Sequence, residues 1–136
     1  MAAATATDTP TESPKGEVAI MTVAMPADAN PAGDIFGGWL LAQMDIAGGV
    51  AASGRAKGRT ATIGIKEMEF HKPVKVGDRL TCYAEIVRVG RTSLTIAIEA
   101  WTTNHYTQTE PTKVTEGVFT FVALDEDGKP RPVPDN

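Results

Sequence analysis

The sequence predicts an α+β domain in which an antiparallel sheet wraps one long helix. The chain has 136 residues, of which 42% are hydrophobic, and this is enough for one buried core without disulfide bonds. One segment, residues 35–54, carries a single charge and has the length of a long buried helix. One β-prone run precedes this segment and four follow it, an order that is typical of an α+β fold.

The first two elements are a short strand and the helix. Residues 18–25 form a β-prone run, and residues 37–52 are predicted to be helical. The segment that contains the helix is long enough to cross a membrane, but it includes five glycines, Gln43 and a central Asp45. An aspartate at the centre of a membrane helix costs about 3 kcal/mol on insertion, so we expect a buried helix and no membrane span.

The four later strands are predicted at residues 61–70, 79–89, 92–101 and 114–123. Pro73 ends the first of these runs, and Gly90 separates the second from the third. Period-two alternation in the third run places four apolar residues on one face, namely Leu94, Ile96, Ile98 and Ala100. Because one helix cannot cover five strands, we expect a homo-oligomer.

The ends of the chain differ in composition from the domain between them. Residues 1–16 are small and polar and are predicted to be a disordered tail, residues 17–125 form the domain, and residues 126–136 form a proline-rich C-terminal tail. The N-terminus has neither the basic start nor the apolar run of a signal peptide, and Cys82 is the single cysteine. We therefore expect a cytoplasmic protein. A net charge of −4 argues against general nucleic-acid binding.

Scarce residue types exclude several kinds of chemistry. Two histidines and one cysteine cannot form a three-histidine or cysteine-based metal site, so we expect no metal and no cofactor. No G-x-S-x-G or G-x-x-x-x-G-K-[ST] motif is present. His71 is interpreted as structural, His105 as exposed in a polar loop, and Cys82 as a small core residue. An enzyme of this composition depends on carboxylates, amides and backbone dipoles.

Asp45 is the residue that most needs an explanation. At 3.6 residues per turn it shares a stripe with small residues only, namely Gly38, Ala42, Gly49 and Ala52. The large apolar residues fall on other faces, where we expect them to supply the packing; they are Trp39, Leu40, Met44 and Val50. A buried carboxylate needs a partner. Two interpretations remain open, a salt bridge to an arginine or lysine, and a site carboxylate that acts as a general base or nucleophile.

The turn before the helix leads to a second candidate feature, the free backbone amides of the first helical turn. Asn30, Pro31, Gly33 and Asp34 are typical turn residues, and the glycines at 37 and 38 leave the first helical amides unobstructed. Such a helix start binds anions or polarises a carbonyl group. Gly38 and Asp45 lie about 10 Å apart along the helix axis. Either a water and a tilted substrate bridge this distance, or the two groups come from different subunits.

Four motifs together resemble one family. The strings are AMPADANPAGDIFGGWLLAQMDIAGG, MEFHKPVKVGD, VGRTSL and TEGVFTFVALDEDGKPRPVP, and with their spacing they cover residues 18–134. They are similar to the hotdog-fold acyl-CoA thioesterases of the YciA type. The resemblance implies a hotdog fold, with the long helix inside a curled antiparallel sheet. It also implies active sites at a dimer interface, with the dimer as the minimal unit and three dimers forming a hexamer.

The same resemblance implies the reaction and its residues. The reaction is hydrolysis of a fatty acyl-CoA to free fatty acid and coenzyme A, with coenzyme A present only as part of substrate and product. Asp45 matches the catalytic carboxylate, as general base or nucleophile, and Asn30 matches a second catalytic position. The amide of Gly38, with that of Gly37, polarises the thioester carbonyl.

Coenzyme A carries phosphates, so the resemblance also implies a cationic patch. The first candidates are Arg91, Thr92 and Ser93, and the second candidates are Arg59, Lys72 and Arg88; a solvated surface charge is the alternative for each cation. Two other functions stay open. One is a non-catalytic acyl-CoA binding or sensor protein, and the other is a hydroxyacyl-thioester dehydratase, whose site pairs a histidine with a carboxylate.

Overall fold

Five strands and one long helix occur in the predicted order. The computed structural model describes residues 12–104, 106–107 and 110–135. The elements are β1 (Glu17–Val23), α1 (Gly37–Ala56), β2 (Thr60–Phe70), β3 (Asp78–Val89), β4 (Ser93–Asn104) and β5 (Thr112–Ala123), with a short 3₁₀ turn at Pro26–Asp28. The α+β prediction is confirmed. Within the described residues, no helix combines the length and hydrophobicity needed to span a membrane.

All five strands belong to one antiparallel sheet in the order β1-β3-β4-β5-β2. The central strand is β4, while β1 and β2 are the edges. The chain therefore forms one edge before the helix and the other edge directly after it. An edge strand leaves half of its backbone groups without a partner in the sheet, and both edges remain open to a second chain.

The core lies between α1 and the central strands. The predicted face of β4 is confirmed, since Leu94, Ile96, Ile98 and Ala100 are all buried. The helix approaches this face most closely at Gly48, where a Cβ atom would lie 2.7 Å from both Ile98 Cδ1 and Phe121 Cζ. A residue with a side chain at position 48 would have to displace these two buried side chains or the helix itself.

Two details of the predicted helix are wrong. Val50 does not pack into the core, because its side chain is 54% exposed on the opposite face of the helix. Ala52 is fully buried and does not belong to an open stripe of small residues. The reason is that β2 begins beside the end of the helix, where Ser53 Oγ and Thr60 Oγ1 are 2.8 Å apart. The helix also continues beyond residue 52 and ends at Ala56.

The segment after β5 turns at Gly128 and returns over the end of α1. Its backbone donates from Arg131 N to Ala123 O at 2.9 Å and from Val133 N to Arg91 O at 2.8 Å. The Arg131 side chain donates to Leu124 O and Ala56 O, both at 2.9 Å. The division of the chain at residues 17 and 125 stays a prediction, and residues 1–11 of the predicted N-terminal tail lie outside the described residues.

Candidate active site

Asp45 lies in the middle of α1 and faces the edge strand β2. The side chain is half-buried, and Thr62 Oγ1 donates a hydrogen bond to Asp45 Oδ1 at 2.5 Å. Among the described residues, no lysine, arginine or histidine lies within ion-pair distance of Asp45. The salt-bridge interpretation thus finds no partner in the described chain. A carboxylate held by one hydroxyl keeps lone pairs free for a water molecule or a substrate.

Thr62 is a site residue that the sequence reasoning missed. The sequence predicts the strand that carries Thr62. The contact, however, depends on how β2 packs against α1, and Asp45 and Thr62 are 17 positions apart in the chain. Residue type offers no signal either, because a threonine in a β-strand is ordinary.

The first turn of α1 is open. Phe36 O accepts hydrogen bonds from Trp39 N at 3.1 Å and Leu40 N at 3.3 Å, so the helical pattern begins there. Within the described part of the chain, the amides of Gly37 and Gly38 have no hydrogen-bond acceptor. A Cβ atom on Gly38 would meet nothing within 4 Å. Two donors with no side chain in front of them form a site for a carbonyl oxygen or an anion.

Asn30 organises the loop that leads into the helix. Its Oδ1 accepts from Ala32 N at 2.9 Å and from Asp34 N at 3.1 Å, and its backbone amide donates to Asp34 O at 2.7 Å. An ion pair between Asp34 and Lys75 ties this loop to the segment before β3. Because Oδ1 is occupied by the turn, the Asn30 group left for a substrate or water is the amide nitrogen Nδ2.

A cavity of about 330 Å³ opens in front of the first helical turn. Its lining includes Gly37, Phe70, His71 and Lys72. Asp45 is not part of this lining. Within one chain, the hydrogen bonds of the described residues do not connect Asn30, Gly38 and Asp45, and the helical rise separates the last two by about 10 Å.

The candidates for phosphate binding divide between the two ends of α1. Lys72 lies at the beginning of the helix, beside the cavity just described. The other candidates lie near the end of the helix, where the end of β5 contacts both the β3–β4 turn and Arg59. Ala123 N donates to Thr92 O, and Leu124 N donates to Arg59 O, both at 2.9 Å. Arg91, Ser93 and Arg88 belong to the same turn or its flanking strands. A helix of this length separates the two groups by about 30 Å.

A cavity of about 440 Å³ lies at the end of the helix, and Arg59 is the member of the second group that belongs to its lining. Lys57, Arg59 and Arg131 contribute positive charge to its lining, and Asp125 and Glu126 contribute negative charge. Arg131 already donates to main-chain carbonyl groups. Arg59 and Lys57 are the exposed cations that remain for a phosphate there.

His71 and Cys82 do not join the candidate site around Asp45. His71 Nε2 lies 2.6 Å from Glu116 Oε2, and this hydrogen bond, aided by Lys113, holds the pKa of Glu116 below its ordinary value. Burial raises the pKa of the Cys82 thiol to about 12, and the cysteine is a core residue as predicted. His105 lies outside the described residues. In the described ranges no group of three or more His, Cys, Asp or Glu side chains is arranged to hold a metal ion.

Sequence comparison gives a family and several relatives. A family model described as the thioesterase superfamily matches residues 32–108. The acyl-CoA thioester hydrolase YciA of Salmonella typhimurium is 50% identical over 89% of this chain and 92% of its own length. The protein of the same name from Escherichia coli K12 is 47% identical over 89% of this chain and 93% of its own length.

Several solved structures that resemble this chain are also thioesterases. A hexameric thioesterase from Yersinia pestis has a TM-score of 0.85 and 48% identity, with 90% of this chain and 99% of that chain covered. The alanine variant of an aspartate in a hexameric, broad-specificity acyl-coenzyme A thioesterase has a TM-score of 0.87 and 42% identity, with 90% and 89% covered. A Campylobacter jejuni structure with 40% identity and a TM-score of 0.82 is described as a hexameric hotdog fold thioesterase.

A more distant structure bears on individual residues. The acyl-CoA hydrolase of Staphylococcus aureus, with a TM-score of 0.78 and 29% identity over 85% of this chain and 70% of that one, was solved with butyryl coenzyme A and coenzyme A. Structures also exist for alanine variants of one of its asparagines and one of its threonines. Those two residues have the same separation along their chain as Asn30 and Thr62 have here. With a family model over more than half of its length and relatives about half identical to it, this chain belongs to the thioesterase superfamily and has the hotdog fold.

Proposed function

We propose that this protein hydrolyses the thioester bond of fatty acyl-CoA, releasing free fatty acid and coenzyme A. The observation that carries the proposal is the state of Asp45. It is a half-buried carboxylate on the central helix, held by one threonine hydroxyl and without a cation among the described residues. The names of the relatives supply the substrate class.

The chemistry follows from the groups available. Asp45 removes a proton from a water molecule, whose oxygen then attacks the thioester carbonyl. The amides of Gly37 and Gly38 donate to the carbonyl oxygen as it becomes negative. When the tetrahedral intermediate collapses, the carbon–sulfur bond breaks and the thiolate of coenzyme A leaves and takes up a proton. In the alternative route Asp45 attacks the thioester carbonyl directly, the carbon–sulfur bond breaks and the thiolate of coenzyme A leaves, and water then hydrolyses the resulting anhydride to the free acid and the Asp45 carboxylate.

Thr62 and Asn30 have supporting roles in this scheme. The Thr62 hydroxyl fixes the orientation of the Asp45 carboxylate, so that one oxygen points away from β2. Asn30 keeps Oδ1 within its own turn and presents Nδ2 to water or to the substrate.

The distance between Gly38 and Asp45 supports a site shared by two chains. The edge strand β2 exposes Ile63 and Ile65, and α1 exposes Ile46, so the side of the domain that carries Asp45 also carries an uncovered apolar surface. A second copy that pairs its own β2 antiparallel to this one continues the sheet and covers that surface. The start of each helix then lies beside the carboxylate of the other chain.

We propose that dimers of this kind form a trimer of dimers. Three relatives are described as hexameric thioesterases: the proteins from Yersinia pestis and Campylobacter jejuni, and the broad-specificity acyl-coenzyme A thioesterase. A hexamer needs a second contact surface on each chain, and the opposite edge of the sheet offers one: Val18 and Met21 on β1 and Val87 on β3 are exposed apolar residues.

Antiparallel pairing of two chains also brings together the phosphate-binding candidates that lie at opposite ends of α1 within one chain. It places the end of one helix, with Arg59, Arg91, Thr92 and Ser93, on the same side of the dimer as the beginning of the other. A coenzyme A molecule whose thioester lies at Gly38 then extends toward these groups, with Arg88 and Lys72 as further contacts.

The test is thiol release from a panel of acyl-CoA substrates. Removing a general base reduces kcat by about 10² to 10⁴-fold, so we expect that loss for Asp45→Ala and a smaller one for Thr62→Val. The control is the oligomeric state and thermal unfolding of each variant. Full activity in a folded Asp45→Ala variant removes Asp45 from the mechanism.

The same panel separates the two alternatives. A sensor protein binds acyl-CoA tightly without releasing thiol. A dehydratase converts 3-hydroxyacyl-CoA to an enoyl thioester, which is followed by ultraviolet absorbance. Either result in the wild-type protein would replace the hydrolase proposal.

A further inference from the structure

His71 lies where β2 leaves the sheet, between two cavities. One is the cavity of about 330 Å³ in front of the first turn of α1. The other, of about 390 Å³, has Trp101, Lys113 and Glu116 in its lining. His71 and Lys72 line both cavities and therefore form the wall between them.

The backbone of this wall is weakly anchored. β2 is an edge strand, its register shifts between Lys66 and Glu69, and Glu67 has a left-handed φ of 55°. Beyond Phe70 the amides of residues 71 and 72 both donate to one acceptor, Val114 O, at 2.7 and 3.3 Å. The next residue is a proline and has no amide hydrogen.

A side-chain contact adds to these two backbone hydrogen bonds. His71 Nε2 and Glu116 Oε2 are 2.6 Å apart, and Glu116 Oε2 lies 3.3 Å from Lys113 Nζ. Lys113 Nζ in turn donates to Glu12 Oε2 at 2.5 Å. Glu116 and Lys113 belong to β5, so this contact ties the end of the edge strand to its neighbour in the sheet.

The network continues to the central strand. Glu99 on β4 is only 7% exposed and lies 3.9 Å from Lys113 Nζ. Its Oε1 accepts from Trp101 Nε1 at 3.0 Å and from Lys15 N at 3.2 Å. The charged groups around His71 are therefore Glu116 and Lys113 of β5, Glu99 of β4 and Glu12 before β1, together with Lys72 of its own loop. Because Glu99 is fixed by three neighbours, the position of Lys113 and of Glu116 is also constrained.

The anchored segment determines the position of Phe70. The Phe70 ring lies over the first helical turn, with Cε2 3.7 Å from where a Cβ atom of Gly37 would be. The ring is 56% exposed, so packing alone does not hold it. His71 is the next residue, so its contact with Glu116 holds the chain immediately after Phe70.

We propose that His71, held by Glu116, is a positioning residue that keeps the Phe70 ring against the start of α1 and so sets the width of the acyl-CoA pocket. The proposal deepens the hydrolase function above and rests on it. Neither His71 nor Glu116 touches the reacting atoms; both act through Phe70.

The experiment compares KM and kcat of His71→Ala with those of the wild-type protein. We expect KM for acyl-CoA to rise about five- to tenfold, and kcat to stay within about twofold, because the pocket loosens while Asp45 and the helix amides stay in place. The variant His71→Gln, which keeps a donor near the position of Nε2, restores most of the wild-type KM. Glu85→Gln, an exposed carboxylate on β3, serves as the matched surface control.

A double-variant cycle tests the pair itself. Glu116→Ala is expected to raise KM as much as His71→Ala does, because each variant removes the same hydrogen bond between the two side chains. The double variant should raise KM no further. Additive effects, or an unchanged KM in both single variants, overturn the proposal.

A binding measurement keeps this test separate from the hydrolase proposal. If the wild-type protein releases no thiol, the proposed function fails, and calorimetric titration with coenzyme A then takes the place of KM. The positioning role predicts a weaker Kd for His71→Ala and recovery in His71→Gln. Equal Kd values in the three proteins contradict it. Should His71→Ala fail to fold, Glu116→Ala is measured against Glu116→Gln in the same way.

Discussion

The two ends of α1 differ in how their free backbone groups are satisfied. At the end of the helix the chain itself supplies partners for two carbonyl groups: Gly58 N donates to Ser53 O at 3.2 Å, and the side chain of Arg131 donates from Nη2 to the last carbonyl, Ala56 O, at 2.9 Å. At the beginning, Gly37 and Gly38 offer two amides for which the described residues provide no acceptor. Both ends of any helix have such groups. The end of the helix is therefore the closed end, where a side chain covers the last carbonyl, and the beginning is the open end, which binds the substrate under the proposed function.

Replacing one open amide is the strongest way to test this difference. Gly38→Pro removes the amide hydrogen, while the first turn of a helix tolerates proline. Loss of one oxyanion donor reduces kcat by about 10² to 10³-fold, and we expect that range for thiol release. Gly38→Ala is the matched control, because it keeps the amide and its Cβ meets nothing within 4 Å. Equal activity of the two variants would show that the open end plays no part in catalysis.

A substitution at the closed end should lower the free energy of unfolding and leave kcat unchanged. Arg131→Ala leaves Ala56 O and Leu124 O without their charged donor, and hydrogen bonds of this kind contribute about 2 kcal/mol. We expect the free energy of unfolding, measured in urea, to fall by that amount, with kcat of the folded protein unchanged. Lys129→Ala, an exposed neighbour, is the control. A large loss of kcat without a loss of stability would assign a catalytic role to this end as well.

The smallest expected effect concerns acid stability beside the open end. The His71 hydrogen bond, aided by Lys113, lowers the pKa of Glu116 from the ordinary value of 4.5. A carboxyl group with a lowered pKa stabilises the folded state at pH values above the ordinary one, and this contribution is lost as the pH falls through the lowered value.

The measurement is the melting temperature between neutral pH and about pH 3. We expect Glu116→Gln to be less stable than wild type at neutral pH and to lose less stability on acidification. Glu126→Gln, at an exposed position, should follow the wild-type curve. Parallel curves for wild type and Glu116→Gln would mean that the carboxylate contributes no acid-sensitive stability.

The sequence predicted the elements and their order because hydrophobic periodicity is local. Leu94, Ile96 and Ile98 on alternate positions of one strand are enough to define its buried face. Val50 was misplaced for a different reason. Hydrophobicity shows that a residue avoids water, and it does not show whether the sheet or a second chain covers it.

The candidate site was predictable in part. Asp45 stood out as a single charge in an apolar helix, and the glycines at 37 and 38 indicated an open helix start. Thr62 and the His71–Glu116 pair were not foreseen, because each contact joins distant parts of the chain through strand register. Their positions follow from the sheet order and its irregularities, which composition and periodicity do not report.

The close approach at Gly48 has a consequence for motion. Ile98 and Phe121 leave no room for a side chain there, so a helix that rolls or slides would bring its neighbouring side chains against these two buried residues. The position of α1 on the sheet, and with it that of Asp45 and of the open amides, is therefore constant, and substrates of different length are not accommodated by shifting the helix. Adaptation falls to the loop that carries Asn30 and to the segment that follows β2, and amide hydrogen exchange should be slow in the middle of α1 and fast in these two segments.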